Sequence, residues 1–243
     1  MGEKLFWESA TRFETLGRVE YRERIETALE TAGSLLSRLR SSASRDRVPT
    51  DLLSRLAHQL MLVSTALGDL SQSRPREAFV VIETVADVGP RSGGEAVAFA
   101  RRVAAMYRRW ADRRGMRLSV LETNSGSDSY RELLAVSGLG AYSRLAPDNG
   151  YHVLEVGGEE EASTWRTQVR VRVIGQPPEP PRAHAIDLAE QARRTVAASP
   201  ASALQVVRRY REHPSPLVRD AVRGWRTGRL DWVERGDFDL IPV

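Results

Sequence analysis

The chain has 243 residues, 41% hydrophobic and 28% charged, a balance that excludes wholesale disorder and suffices for one cored domain or two small ones. It has no cysteine, which excludes disulfides, thiolate nucleophiles and zinc–cysteine centres. Its net charge of +4 favours an anionic partner.

Residues 5–40 carry Leu5, Phe6, Phe13, Leu16, Tyr21, Ile25, Leu29, Leu35, Leu36 and Leu39 at mostly three- and four-residue spacing, the period of a helix. Gly17 weakens that pattern at one point. Ser41–Pro49 is loop in composition, and Thr50 reads as the N-cap of a second helix through Leu53, Leu56, Leu60, Val63 and Leu67, ending near Gly68. The two helices predict an α-helical hairpin. After Pro75 the pattern changes. Phe79–Val85 (FVVIETV) is a short β-branched run that reads as a buried strand. A glycine-rich loop, Gly89–Gly94, leads into a long amphipathic helix with Phe99, Val103, Tyr107 and Trp110 on one face. Arg101, Arg102, Arg108, Arg109 and Arg113 fall on the others, and Gly115 ends it. Strand-like segments follow at Met116–Leu121, Leu133–Val136, His152–Val156 and Gln168–Ile174. Gln176–Pro181 (QPPEPP) is a stiff linker, Ile186–Arg194 and Ala201–Tyr210 read as helices, and the tail from His213 reads as irregular. The fold class is α+β.

Sites for small-molecule chemistry are not apparent. The glycine loop lacks a GxGxxG pattern and has no following lysine, so no cofactor is expected. His58, His152, His184 and His213 are scattered, so no metal site is expected, and no serine sits in a GxSxG elbow. No apolar run approaches the ~18 residues of a membrane span. The charged opening MGEKLFWESATR does not read as a signal peptide. A cytoplasmic protein with no membrane partner is expected. Of the 36 basic residues only Lys4 is a lysine. Arginine binds phosphate bidentately and stacks on bases, which suits RNA; a GC-rich genome produces the same bias.

The order of segments resembles a known family. FVVIETVADVGPRSGGEA, then MYRRWADRRGMRLSVLE (Met106–Glu122), then GLGAYSRLAPDNGYHVLEV (Gly138–Val156) resemble consecutive motifs of the class I bacterial peptide chain release factors, nearest to the UGA-reading type. The opening FWES and the closing RRYREHPSPLVRDAVRGWRTGRLDWVERGDFD, with its Arg-x-Tyr and Val-x-Asp, resemble the two ends of the same family. The resemblance implies an N-terminal hairpin (1–74), a mixed-sheet core with a long amphipathic helix (75–176), and C-terminal helices and tail packing on that core (186–243), corresponding to release factor domains 1, 2 and 4. A Pro-rich linker (177–185) stands where the family has its catalytic domain.

Two departures bear on function. The family's hydrolytic domain carries Gly-Gly-Gln, whereas both Gly-Gly pairs here, Gly93-Gly94 and Gly157-Gly158, are followed by glutamate. The family reads the codon with a Ser-Pro-Phe-type tripeptide followed by Arg-His-Thr. The corresponding loop here is Gly157, Gly158, Glu159, Glu160 and Glu161, followed by Trp165, Arg166 and Thr167. Three glutamates beside an mRNA phosphate chain repel it. The expected protein is not an enzyme. It binds the ribosome, rRNA or mRNA without hydrolysis, with Arg101, Arg102, Arg108, Arg109 and Arg166 as phosphate contacts and Trp165 either stacked on a base or packed. The alternative is a protein-interaction module in a regulatory or defence complex, supported by the acidic loop and by an exposed aromatic tail of Trp225, Trp232 and Phe238; a third reading, a working release factor, needs another protein to supply the missing hydrolytic activity.

Overall fold

A computed structural model describes residues 6–9, 11–43, 49–85, 93–156, 165–178, 188–200 and 205–241. Helices α1 (Arg12–Ala43) and α2 (Thr50–Ser71) pair as an antiparallel hairpin. The seam is Tyr21, Ile25, Ala28, Ala32, Leu35 and Leu39 on α1 against Leu52, Leu56, Val63 and Ala66 on α2, all buried. Steps alternate between three and four, the repeat of a left-handed coiled coil. At the α2 position between Leu56 and Val63, Gln59 donates from Nε2 to the Ala28 carbonyl at 3.2 Å. The capping expectation needs correction. Pro49 (φ −66°, ψ 109°) holds the N-cap position without a side-chain bond, and Thr50 is already helical. The helix also runs past Gly68 to Ser71, with the Gln72 N–H donating to the Gly68 carbonyl.

The expected α+β body is a mixed sheet, eight-stranded among the described residues, in the order β2-β3-β1-β5-β4-β6-β7-β8. The strands are β1 (Ala78–Thr84), β2 (Arg117–Ser125), β3 (Tyr130–Ser137), β4 (Gly150–Val156), β5 (Trp165–Gly175), β6 (Val206–Arg211), β7 (Leu217–Asp220) and β8 (Arg226–Thr227). Strand β1 lies between β3 and β5 and is buried on both faces, which is why its sequence is unbroken apolar rather than alternating. Val80 and Ile82 pack toward α3 (Gly93–Arg114). Phe79 and Val81 pack toward α5 (Leu188–Ala198) through Ala192 and Val196. A bulge between Val120 and Glu122 interrupts the register of edge strand β2, and Leu121 packs into the α5-side cluster. Gly115 (φ +63°) ends α3 as the sequence implied, and the short helix α4 (Ala141–Leu145) joins β3 toward β4.

The C-terminal part differs most from expectation. Residues 206–210 of the segment read as helix belong instead to β6, which pairs parallel to β4. The misreading has a physical cause. Side chains of Arg208 and Tyr210 point inward, and Arg208 is 0% exposed, so the alternation was hidden by an arginine at a core position. After α5 the chain continues as strands of the same sheet rather than as further helices. The tail is not irregular, and its aromatic residues are not all exposed: Trp225 and Phe238 are buried, while Trp232 is 45% exposed. Short helical turns at Leu230–Trp232 and Val233–Asp237 bring the tail against α3. There Gly236 (φ +91°) is indispensable, because a Cβ would lie 2.4 Å from the Trp110 backbone nitrogen. Asp239 completes the latch, accepting from Arg114 and Arg144, each at 2.6 Å. Burial alone would raise the Asp239 carboxyl; those two guanidinium groups overcome it and hold it below the usual range.

Candidate functional site

Three groups of residues bear on binding. The first is the arginine stripe on α3. Arg101 is exposed and donates to the Ser125 hydroxyl at 2.8 Å. Arg102 bridges Glu212 and Glu234, each at 2.5 Å. Arg108 pairs with Glu132, whose side chain is fully buried and also accepts from the Tyr130 hydroxyl. Burial, with that carboxylate beside it, pushes Tyr130 up to about 12. Arg109 is exposed and donates to the Glu234 carbonyl at 2.9 Å. The stripe is therefore mixed. Arg102 and Arg108 have carboxylate partners of their own, and a guanidinium beside a carboxylate offers an external anion a weaker field. Among the described residues Arg101 and Arg109 have no carboxylate partner.

The second group lies at the open end of the β4–β5 pair. Trp165 is half-buried opposite Val156, and Arg166 is exposed with Glu155 at 3.7 Å. Arg209 of β6 reaches the same carboxylate at 3.4 Å. The Gly157, Gly158, Glu159, Glu160 and Glu161 loop lies outside the described residues. No hydrogen bond or ion pair among the described residues links Trp165 or Arg166 to the α3 arginines.

The third group was not foreseen. Arg208 donates to Asp148 at 2.9 Å and to Asp220 at 2.8 Å, with all three side chains fully buried. Arg223 pairs with the same two acids. The Tyr107 hydroxyl donates to Asp148 at 2.9 Å, and His152 meets the Tyr210 hydroxyl at 3.0 Å. The Arg208 guanidinium lies 4.7 Å from the Phe238 ring centroid and 5.4 Å from that of Trp225. Burial would raise Asp148, yet Arg208 and Arg223 outweigh it and hold its carboxyl at about 2. Burial, reinforced by Arg208, pushes His152 down to about 4, so the imidazole is neutral. Burial pushes Tyr210 up to about 12. Two guanidinium groups face two acids in an enclosed site, and the network ties α3, β4, β6, β7 and the tail together. The signal for it was present in the sequence as Arg208-x-Tyr210 and Val218-x-Asp220.

Between the hairpin and the sheet lies a cleft of about 480 Å³, with Arg18, Arg24, Arg74, Arg76 and Arg117 among its walls and Glu14, Glu20 and Glu77 offsetting them. Gly17, a weakness in the helical pattern, has its reason here. The Arg76 guanidinium lies where its side chain would be, Nη2 falling 2.5 Å from a Cβ built on Gly17. Tyr21 docks the hairpin by accepting the Gly140 N–H at 2.8 Å. Among the described residues no three His, Asp or Glu side chains are grouped to hold a metal ion, and no helix is long and apolar enough to cross a membrane.

Comparison with known proteins places this geometry. The family model for the PCRF domain matches residues 8–164, well over half the chain. Peptide chain release factor 1 of Caldicellulosiruptor bescii is 33% identical over 129 residues, covering 49% of this chain and 36% of that protein. Its counterpart in Aquifex aeolicus is 39% identical over 75 residues, covering 30% and 20%. These matches span no more than about a third of either curated relative's length. Among solved structures, RF2 of Thermus thermophilus aligns with a TM-score of 0.52 at 19% identity, over 98% of this chain and 91% of that one.

Proposed function

This chain belongs to the PCRF domain family and is related to the peptide chain release factors, and on that premise we propose that it occupies the ribosome, or an RNA, without hydrolysing peptidyl-tRNA. The observation that carries the reading is the route from β5 to β6. Only residues 176–205 lie between the two strands, and α5, within them, is packed on the second face of the sheet. What remains is far short of the ~50 residues a separate hydrolytic domain needs. Both Gly-Gly pairs are followed by glutamate, so the Gly-Gly-Gln of the resembled family has no counterpart.

Binding is assigned to the scaffold. The likeness to the UGA-reading type, read from the FVVIETVADVGPRSGGEA, Met106–Glu122 and Gly138–Val156 segments together, does not extend to the codon-reading loop. The exposed Arg101 and Arg109 are the best-placed phosphate contacts, Arg166 shares its charge with Glu155, and Trp165 is a candidate stacking surface. Arg102 and Arg108 serve first as internal ties. The alternative, an interaction module away from the ribosome, loses two of the three aromatic residues that supported it, because Trp225 and Phe238 are buried.

The test has two arms. The purified chain should co-sediment with ribosomes at low salt and dissociate as salt rises. It should release no peptide from stop-codon-programmed ribosomes carrying peptidyl-tRNA. Stop-dependent release by this chain alone would overturn the non-hydrolytic reading; absence of ribosome and RNA binding at low salt would overturn the binding one.

A further inference from the structure

The coiled-coil register of the hairpin leaves one side without a partner. Residues that directly follow alternate seam positions project to one side of such a pair. Here they are Arg22, Leu29 and Leu36 of α1, with Arg22 paired to Glu26 at 2.9 Å, and Leu53, Leu60 and Leu67 of α2. The opposite side faces the body, where Leu62 joins the main core and Asp69 bonds Ser143 of α4. The five leucines are therefore turned away from the sheet, each between 40% and 50% exposed.

Along α2 this outer strip reads Leu53, Ala57, Leu60, Ser64, Leu67 and Ser71, all exposed and none charged, in a chain that is 28% charged. Its steps alternate four and three, the same in either direction. Laid antiparallel on a second copy, about a two-fold axis near Leu62, Leu53 meets Ser71, Leu60 meets Ser64 and Leu67 meets Ala57. Every leucine then faces a small residue. A strip that complements itself end for end is what an isologous two-fold contact demands, and small residues opposite large ones let helices approach closely and interdigitate.

We infer that this side of the hairpin is a homodimer interface, with α2 packed antiparallel on α2 of a second copy. The lack of charge along the α2 strip argues against a nucleic-acid or anionic ligand on that helix, since those need exposed arginine or lysine. Helix α2, with 22 residues, is about 33 Å long. A strip of that length and two helices wide hides on the order of 600 Å² per copy, somewhat below the ~800 Å² per partner of a standard interface. The dimer should accordingly form in the micromolar range. This inference is independent of ribosome binding.

Sedimentation velocity on the full chain, from about 2 to about 200 μM, should show mass rising from 27.1 kDa toward twice that value. Leu60→Glu should stay monomeric throughout while keeping its thermal unfolding profile, since the site is half exposed. Ser64→Leu discriminates a registered interface from a merely sticky patch. It sets leucine on leucine and should weaken association about tenfold, whereas a sticky patch would tighten. The swap Leu60→Ser with Ser64→Leu exchanges large for small on both sides and should restore association to within about threefold. Because the chain has no cysteine, Leu60→Cys mixed with Ser64→Cys should oxidise to a cross-linked pair faster than either protein alone. A monomer at every concentration, a Leu60→Glu variant that still dimerises, tightening by Ser64→Leu, or equal cross-linking in unmixed samples would each overturn the inference.

Discussion

Arginine does opposite work in two parts of this protein. Around Arg208 two guanidinium groups are enclosed with two acids, tyrosines and aromatic rings, and every charge is answered inside the fold. On α3, Arg101 and Arg109 sit at the surface with a hydroxyl and a carbonyl for company. Residue type is the same in both places; enclosure and the supply of carboxylates decide which arginines hold the protein together and which can meet an anion. An arginine-rich composition therefore measures neither quantity by itself.

The sharpest break of this contrast is Arg208→Met. It leaves Asp148 and Asp220 buried with only Arg223 opposite, and should cost about 4 kcal/mol in urea unfolding, while Arg101→Ala should stay within about 0.5 kcal/mol. Equal effects would erase the distinction. Next in size is acid sensitivity. The folded value of His152, about 4, lies below its ordinary 6.5, so its contribution is complete above pH 6.5 and is lost as pH falls toward 4. The loss should be about 3 kcal/mol over that window, and His152→Gln should flatten the curve between pH 7 and pH 4.5.

Within α3 itself, Arg108→Ala strands the buried Glu132 and should cost about 2 kcal/mol, whereas Arg109→Ala, one residue along, should cost under about 0.5 kcal/mol. The smallest effect on folding belongs to the double variant Arg101→Ala with Arg109→Ala. Its unfolding midpoint should hardly move, but the slope of log affinity for RNA against log salt should fall by about two units. An unchanged slope would remove these arginines from the interface.

Much of the fold could be read from the sequence where local pattern and burial agree. Strand β1, buried on both faces, announces itself as FVVIETV, and α3 shows its Phe99–Trp110 face and its glycine stop. Legibility failed where burial and residue type part company. Strand β6 was hidden because Arg208 occupies a core position. The hairpin was found, but its seam only in part: Tyr21, Ile25, Leu35, Leu39, Leu56 and Val63 were legible, whereas Ala28, Ala32 and Ala66 are small and Leu29, Leu53, Leu60 and Leu67 look like core and face outward. The Arg-x-Tyr and Val-x-Asp signatures stood out in the sequence, yet spacing alone does not say that Asp148, some sixty residues earlier, completes them.

The parallel pairing of β6 with β4 sets an order of assembly. Strands β1 to β5 are joined to one another by antiparallel ladders and can close before β6 has been made. Until β6 arrives, β4 is an open edge and the Asp148 carboxyl lacks the cation that compensates its burial. A chain lacking the segment from Arg208 onward would therefore carry an unpaired strand margin together with an acid deprived of its counter-charge.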